Sequence, residues 1–234
     1  MVFLILQFCL FLPVRLNFRG GSLLDSGNGR SVCVEEERLL RLIVGISGAS
    51  GVVMGYYMLK ALRSVPDMEI HLIITDGAKK TFPLETEVSI HEVEALADVV
   101  HSSHNMAASV SSGSFKTDGM IVIPCSMKTV AGIVSGYADN LLLRAVDVCL
   151  KEGRKVVIVP REMPMGRIHI RNIHEAADYG CVVVPPVLTF YNGANTIEKQ
   201  INHIIGKILM QFGIDYKQFI AWDGHGLPDG KQAI

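Results

Sequence analysis

The stretch from Leu42 to Gly55 constrains the fold of this chain most. It reads LIVGISGASGVVMG, an apolar run, then a glycine-rich turn, then the start of a periodic apolar segment. This order is typical of a strand, a tight turn and a helix, in which backbone N–H groups and the helix N-terminus can bind an anion. The stretch therefore predicts a phosphate-binding first turn of an α/β sheet. Its glycine spacing differs from G-x-G-x-x-G, and G-K-[ST] is absent.

The composition indicates one well-buried domain with no charge excess. The chain has 234 residues, of which 49% are hydrophobic and 19% charged, enough for a full core. The formal net charge of -1 favours neither nucleic acid nor an anionic membrane as a partner. Five cysteines without a C-x-x-C pair argue against a disulfide framework or a zinc site. We therefore expect a reducing, cytoplasmic location.

The first forty residues differ from the rest of the chain. Residues 1–12 are apolar apart from Gln7, but a membrane span needs roughly 20 such residues. We expect a poorly ordered extension over 1–40, a compact domain over 41–222 and a loose tail over 223–234. A targeting or membrane-tethering segment is the alternative for the extension.

Five apolar, β-branched runs predict the strands of a parallel sheet covered on both faces. They are Leu42–Ile46, Ile70–Thr75, Met120–Pro124, Val156–Pro160 and Cys181–Pro185. Helical patterns lie between them over 90–100, over 130–150 with Gly132 and Gly136 as breaks, and over 171–179. This alternation predicts an α/β, Rossmann-like, doubly wound and mostly parallel sheet with helices on both faces. Ligands bind such a sheet at the carboxyl ends of its strands.

The last helix has the clearest helical pattern. Apolar residues recur at helical spacing from Ile197 to Phe212, and Gly213 follows them. Asn195 is the expected N-cap, with Glu198 three residues later as in a capping box. We predict that Gly213 ends this helix.

Polar residues follow several predicted strands directly. Ser126 and Thr129 could contact a ligand or simply cap the next helix, and Lys128 could be a solvated surface residue. Arg161 and Glu162 could form a surface pair, but they follow a buried strand between two prolines. That position favours a functional pair, in which arginine binds a phosphate or phenolate oxygen and glutamate transfers a proton.

Three other chemistries find little support in the sequence. The eight histidines do not show a metal-ligand spacing. Ser50 does not lie in a G-x-S-x-G nucleophile elbow. Cys125 lies between a strand and a helix, where a thiolate could be activated, but packing is the favoured interpretation.

Several long runs resemble one known family. They are RLIVGISGASG, SSGSFKTDGMIVIPCSMKT, DNLLLRAVDVCLKEGRKVVIVPRE, and the later pairs PP and FY. Together, over roughly Arg41 to Trp222, they are similar to the UbiX-type flavin prenyltransferases of the homo-oligomeric flavin-containing Cys decarboxylase superfamily. The resemblance implies transfer of a dimethylallyl group from dimethylallyl phosphate to N5 and C6 of reduced FMN, without a metal. It also implies a homododecamer that passes prenylated FMN to a UbiD-type decarboxylase.

The resemblance assigns roles to individual residues. Those implied to bind FMN are Gly48, Ala49, Ser50, Thr75, Ser126, Met127, Lys128, Thr129 and Arg161. Those implied to surround dimethylallyl phosphate are Arg144, Lys151, Tyr191, Lys207 and Trp222. The implied catalytic residues are Ser50, Glu162 and Tyr191. The chain departs from the family pattern after Tyr191, where Asn192-Gly193-Ala194-Asn195 lacks the usual proline, and at Arg167, which adds a charge.

Two other functions stay open at this point. The superfamily includes enzymes that oxidatively decarboxylate a peptidyl cysteine, and these should carry a histidine shortly after the first glycine turn. Ser50-Gly51-Val52-Val53 contains none, so this function is disfavoured. The other alternative is a non-catalytic FMN-binding subunit of a hydroxyarylic acid decarboxylase complex. The sequence leaves open whether the donor is a phosphate or a pyrophosphate.

Overall fold

The computed structural model describes residues 39–224, so most of the predicted N-terminal extension and tail lies outside the described residues. Within this range no helix is both long enough and apolar enough to cross a bilayer. The strands are β1 (Leu40–Ile46), β2 (Met68–Ile74), β3 (Val99–Ser102), β4 (Gly119–Cys125), β5 (Lys155–Pro160) and β6 (Cys181–Val183). The helices are α1 (Val53–Arg63), α2 (Asp76–Glu85), α3 (Ile90–Glu94), α4 (Met127–Ser135), α5 (Leu141–Lys151), α6 (Arg167–Asp178) and α7 (Ile197–Met210).

The strands form a six-stranded sheet in the order β3-β2-β1-β4-β5-β6, and every neighbouring pair is parallel. In the central register, Val44 pairs with Leu72 on one side and with Ile121 on the other. The strand order reverses between β1 and β4, which is the topological switch point where open α/β sheets bind ligands. The predicted doubly wound fold is confirmed.

Apolar side chains of the strands pack against helices on both faces of the sheet. Leu42, Val44 and Ile46 of β1 belong to a core with α1, α2, α3 and α7. Ile43 belongs to a second core with α4, α5 and α6. Because successive strand residues point to opposite faces, a continuous apolar run serves both cores at once. This explains why the central strands were recognisable from the sequence.

The prediction of a helix over 90–100 was wrong in its second half. A capping box between Ser89 and Glu92 starts α3, but this helix ends at Glu94. Val99 and Val100 begin β3, where they are 37% and 43% exposed at the edge of the sheet. A short edge strand has no buried face to impose a period-two pattern, so its valines resemble a helix continuation.

Other boundaries also differ from the prediction. The region 130–150 forms two helices because Gly136, one of the two predicted breaks, ends α4 in the left-handed conformation with φ of 66°. Gly132, the other predicted break, lies inside α4. Thr196 caps α7 in place of Asn195, since its Oγ1 accepts a hydrogen bond from the backbone N–H of Lys199. Helix α2 was not predicted; it contains Pro83, a residue that disfavours helix interiors. Helix α6 begins at Arg167, four residues before the predicted start, and β6 ends two residues early.

Candidate active site

A cavity of about 470 Å³ lies at the carboxyl ends of β1, β2, β3 and β4. It is therefore located at the switch point, where the topology predicts a ligand. Its lining residues come mainly from the turns that directly follow these strands. They are Ser47, Gly48, Thr75, Asp76, Gly77, Ser103, His104, Ser126, Lys128, Thr129, Asp139, Asn140 and Leu143.

Two helices begin at this cavity with hydroxyl N-caps. Thr75 Oγ1 accepts a hydrogen bond from the N–H of Ala78 at 3.3 Å, which caps α2. Ser126 Oγ accepts from the N–H of Thr129 at 3.2 Å and lies 3.0 Å from the Thr129 hydroxyl, which caps α4. Ser126 and Thr129 therefore both cap a helix and line the cavity. The two helix N-termini give the cavity a partial positive charge that favours an anion.

A buried serine joins the two strands at the switch point. Ser47 Oγ donates to the carbonyl of Pro124 at 3.0 Å and accepts from the N–H of Ser126 at 2.7 Å. These bonds fix the end of β1 to the end of β4, and Ser47 is 1% exposed. The position of the capping hydroxyl of Ser126 therefore depends on the first glycine turn.

Two acid–base pairs also line the cavity. Lys128 Nζ lies 3.7 Å from Asp139 Oδ2, and His104 Nε2 lies 2.8 Å from Asp76 Oδ2. Sequence reasoning had placed neither Asp139 nor His104 at a site. His104 follows β3, so the missed strand concealed its position, whereas Asp76 was visible directly after the second predicted strand.

A carboxylate accepts hydrogen bonds from two backbone N–H groups of the first glycine turn, next to the N-terminus of α1. Glu85 Oε2 accepts hydrogen bonds from the N–H of Gly51 at 2.7 Å and of Val52 at 3.3 Å. A carboxylate thus occupies two of the donors that the sequence suggests for a phosphate. The cavity receives its anion-binding character from α2 and α4 instead. Ala49 and Ser50 are half-buried and do not line the cavity.

Tyr191, Lys207 and Trp222 lie near one another, around the rings of His203 and Phe219. The Tyr191 ring is 5.2 Å from the Trp222 ring, and its hydroxyl is 3.4 Å from His203 Nε2. His203 stacks on Phe219 at 5.0 Å, and Lys207 Nζ lies 5.4 Å from the centre of the same Phe219 ring. Burial, together with the charge of Lys207, lowers the pKa of His203. We call these five residues the aromatic group.

Arg144 and Lys151 lie apart from the cavity lining. Arg144 Nη1 is 2.5 Å from Asp147 Oδ2, and its Nε donates to the carbonyl of Ser111 at 3.1 Å. Lys151 pairs with the adjacent Glu152. Both cations are on α5 and have carboxylate partners within the chain. Within one chain the structure does not bring them to the cavity.

The remaining predicted residues lie outside the cavity lining. The N–H of Arg161 donates to the carbonyl of Cys125 at 3.1 Å, and Glu162 Oε1 accepts from the N–H of Met163 at 3.0 Å. Met127 is buried, and its side chain belongs to the core that includes α4, α5 and α6. Cys125 is fully buried and its pKa is raised by desolvation, so it is a packing residue and not a thiolate nucleophile. Residues 39–224 contain no cluster of three potential metal ligands.

Comparisons with known proteins identify the family. A family model described as Flavoprotein matches residues 32–213. A probable UbiX-like flavin prenyltransferase of Sedimentibacter hydroxybenzoicus is 69% identical over 185 residues, covering 79% of this chain and 98% of the relative. The chain belongs to the UbiX-like flavin prenyltransferases. The resemblance seen in the sequence is confirmed.

Two solved structures of this family share the fold. A dodecameric FMN-dependent UbiX-like decarboxylase from Escherichia coli O157:H7 is 50% identical, with a TM-score of 0.78 over 79% of this chain and 100% of that chain. AnUbiX (PadA1), in complex with FMN and dimethylallyl pyrophosphate, is 46% identical, with a TM-score of 0.78 over 80% of this chain and 99% of that chain. Family membership therefore extends over almost the full length of these relatives.

Proposed function

We propose that this protein transfers a dimethylallyl group from dimethylallyl phosphate to N5 and C6 of reduced FMN. The observation that carries the proposal is the cavity at the switch point, into which two hydroxyl-capped helix N-termini open. This arrangement suits the phosphate of a flavin mononucleotide. Because the chain belongs to the UbiX-like flavin prenyltransferases, a flavin and a prenyl donor are the ligands that its site would have to bind.

The residues lining the cavity fit FMN. Thr75, Ser126 and Thr129 offer hydroxyl groups beside the N-termini of α2 and α4, and Lys128 adds a cation. Gly48 keeps the first turn free of a side chain where it approaches Gly77. Bound FMN would supply the nucleophilic ring positions. Arg161, Ala49 and Met127 would support or contact the flavin from the surrounding turns.

The remaining residues would serve the allylic donor. Loss of phosphate leaves an allylic carbon with cationic character, which aromatic faces such as Tyr191 and Trp222 stabilise. Arg144, Lys151 and Lys207 would bind the departing phosphate and offset its charge. Ser50 and Glu162 would take up the protons that N5 and C6 lose and deliver one proton to the double bond of the dimethylallyl group, because the departing phosphate accounts for only one of the two new bonds. Tyr191 would also orient the donor through its hydroxyl.

We infer a homododecamer in which one site draws on several copies of the chain. The cavity, the aromatic group and the α5 cations are separate sets within one chain, and a relative of the same family is dodecameric. Assembly would place the basic residues of one copy beside the cavity of another. The protein would act in the cytoplasm and supply prenylated FMN to a UbiD-type decarboxylase.

The deciding experiment uses the purified protein with reduced FMN and either dimethylallyl phosphate or dimethylallyl pyrophosphate. We expect mass spectrometry to reveal a flavin heavier by one dimethylallyl group, with the monophosphate as the faster donor. Tight binding of FMN that stays unmodified with both donors would instead support a non-catalytic FMN-binding subunit. Faster turnover of the pyrophosphate would correct the donor while preserving the reaction.

A further inference from the structure

His104 is a cavity residue to which the reaction assigns no role. It lies two residues beyond β3, and its ring is held by Asp76, the first residue of α2, at a distance of 2.8 Å. Both side chains line the cavity and remain well exposed, at 72% and 59%. The pair therefore connects two turns at the cavity and keeps an imidazole next to the N-terminus of α2.

The partner fixes which ring nitrogen is available. An ionised carboxylate can only accept a hydrogen bond, so Nε2 of His104 must carry the proton that Asp76 accepts. Nδ1 has no partner within residues 39–224 and is left for a ligand. In the neutral ring Nδ1 is an acceptor, and in the protonated ring it is a donor. Only protonated His104 can therefore donate to a phosphate oxygen.

The other charges lining the cavity favour that protonation when an anion arrives. Lys128 is paired with Asp139, and Asp76 faces His104. With a neutral His104, these groups leave one net negative charge around the cavity, and with a protonated His104 the charges balance. Beside the helix N-termini, a phosphate dianion would meet a net negative side-chain charge in the first state, and in the second state no net side-chain charge and one added donor. Binding and proton uptake by His104 are thereby coupled.

We propose that His104, oriented by Asp76, is a phosphate-specific binding residue for FMN that takes up a proton from solvent as FMN binds. The proposal rests on the proposed function, because it places the FMN phosphate in this cavity. It predicts that His104 contributes to the affinity for FMN and not to the affinity for riboflavin, which has the same ring system without the phosphate. It also predicts that the His104 contribution grows as pH falls.

The test compares the dissociation constants of FMN and riboflavin for the wild type, His104→Gln and a matched control. Glutamine can still donate to Asp76 but cannot gain a proton. His174 forms a similar exposed pair with Asp178 on α6, at 3.2 Å, and does not line the cavity, so His174→Gln is the control. Calorimetry in buffers of different ionisation enthalpy would measure proton uptake by the wild type and each variant.

We expect His104→Gln to weaken FMN binding roughly tenfold near pH 6, in line with loss of one charge-assisted hydrogen bond, and less near pH 8. Proton uptake should fall in this variant, while riboflavin binding and the His174→Gln control stay at wild-type values. An unchanged FMN affinity, or an equal loss for FMN and riboflavin, would overturn the proposal. Proton uptake by the wild type that matches that of His104→Gln would overturn it as well. Failure of the wild type to bind FMN would instead refute the proposed function.

Discussion

Gly48 and Gly77 approach each other so closely that a side chain fits on only one of them. A Cβ atom added to Gly48 would lie 2.9 Å from the carbonyl carbon of Gly77, well inside normal contact. A Cβ atom added to Gly77 would lie 3.4 Å from the Cα of Gly48, an ordinary contact distance. The turns after β1 and β2 therefore pack backbone to backbone at the cavity.

Gly48→Ala should disturb both turns, because backbone atoms cannot rotate away as a flexible side chain can. We expect a loss of about 1–3 kcal/mol in the free energy of unfolding, together with weaker FMN binding. Gly77→Ala provides the matched control and should leave both values close to wild type. Denaturant unfolding and flavin titration of the two variants would measure the effects, and similar behaviour of both would contradict this account.

Glu162→Gln should separate FMN binding from prenylation. The amide keeps an oxygen that can accept from the N–H of Met163 but cannot take up a proton at neutral pH. We expect FMN affinity to stay normal while prenylated FMN forms about 10²–10⁴-fold more slowly, the usual contribution of a general acid or base. Glu94→Gln, which alters a surface pair with Lys79, is the control. Wild-type turnover in Glu162→Gln would remove Glu162 from the mechanism.

Mixed assemblies should reveal whether one site draws on several chains. Arg144→Ala alters α5 and Tyr191→Phe alters the aromatic group, and each variant alone should prenylate FMN slowly. Co-expressed with different affinity tags and purified together, the two variants should recover activity, because some sites would receive both intact residues. The control is the chain that carries both substitutions, co-expressed with the same two tags and purified in the same way, which should stay inactive. No recovery in mixed oligomers of confirmed composition would show that each chain builds its site alone.

Glu69 should make stability depend on pH in the acid range. Hydrogen bonds from Arg41 at 2.7 Å, and from His71 at 2.8 Å, lower the pKa of the Glu69 carboxyl from its ordinary value. A carboxyl whose pKa is lower in the folded protein than in the unfolded protein stabilises the fold at pH values above its unfolded-state pKa. This contribution is lost as the pH falls through its folded-state pKa. Glu69→Gln should therefore lower the free energy of unfolding by roughly 1–3 kcal/mol at neutral pH and change it little at acid pH.

Urea unfolding of the wild type and of Glu69→Gln, from acid to neutral pH, would measure the difference in their free energies of unfolding. Glu94→Gln, in the exposed pair with Lys79, should show a much smaller effect at every pH because solvent screens it. A Glu69→Gln deficit that persists unchanged below the folded-state pKa would mean that its origin is packing instead of charge.

The strands of the sheet were predictable where both faces are buried. Val44, Ile121 and Val157 lie in runs of apolar residues that only a doubly covered sheet requires. The edge strand β3 was not predictable, because Val99 and Val100 are partly exposed and continue the pattern of the preceding helix. His104 and Ser103 were missed for the same reason, since their place at the cavity follows from β3.

The sequence by itself determined the parallel α/β fold, the family and the hydroxyl residues Thr75, Ser126 and Thr129, because these depend on local patterns at strand ends. Tertiary structure decided which helix N-termini are free to bind an anion. Glu85 is 34 positions from Gly51 along the chain, yet its carboxylate takes the N–H groups at the start of α1. No local pattern reports that contact, because it exists only once α2 has packed beside the first turn.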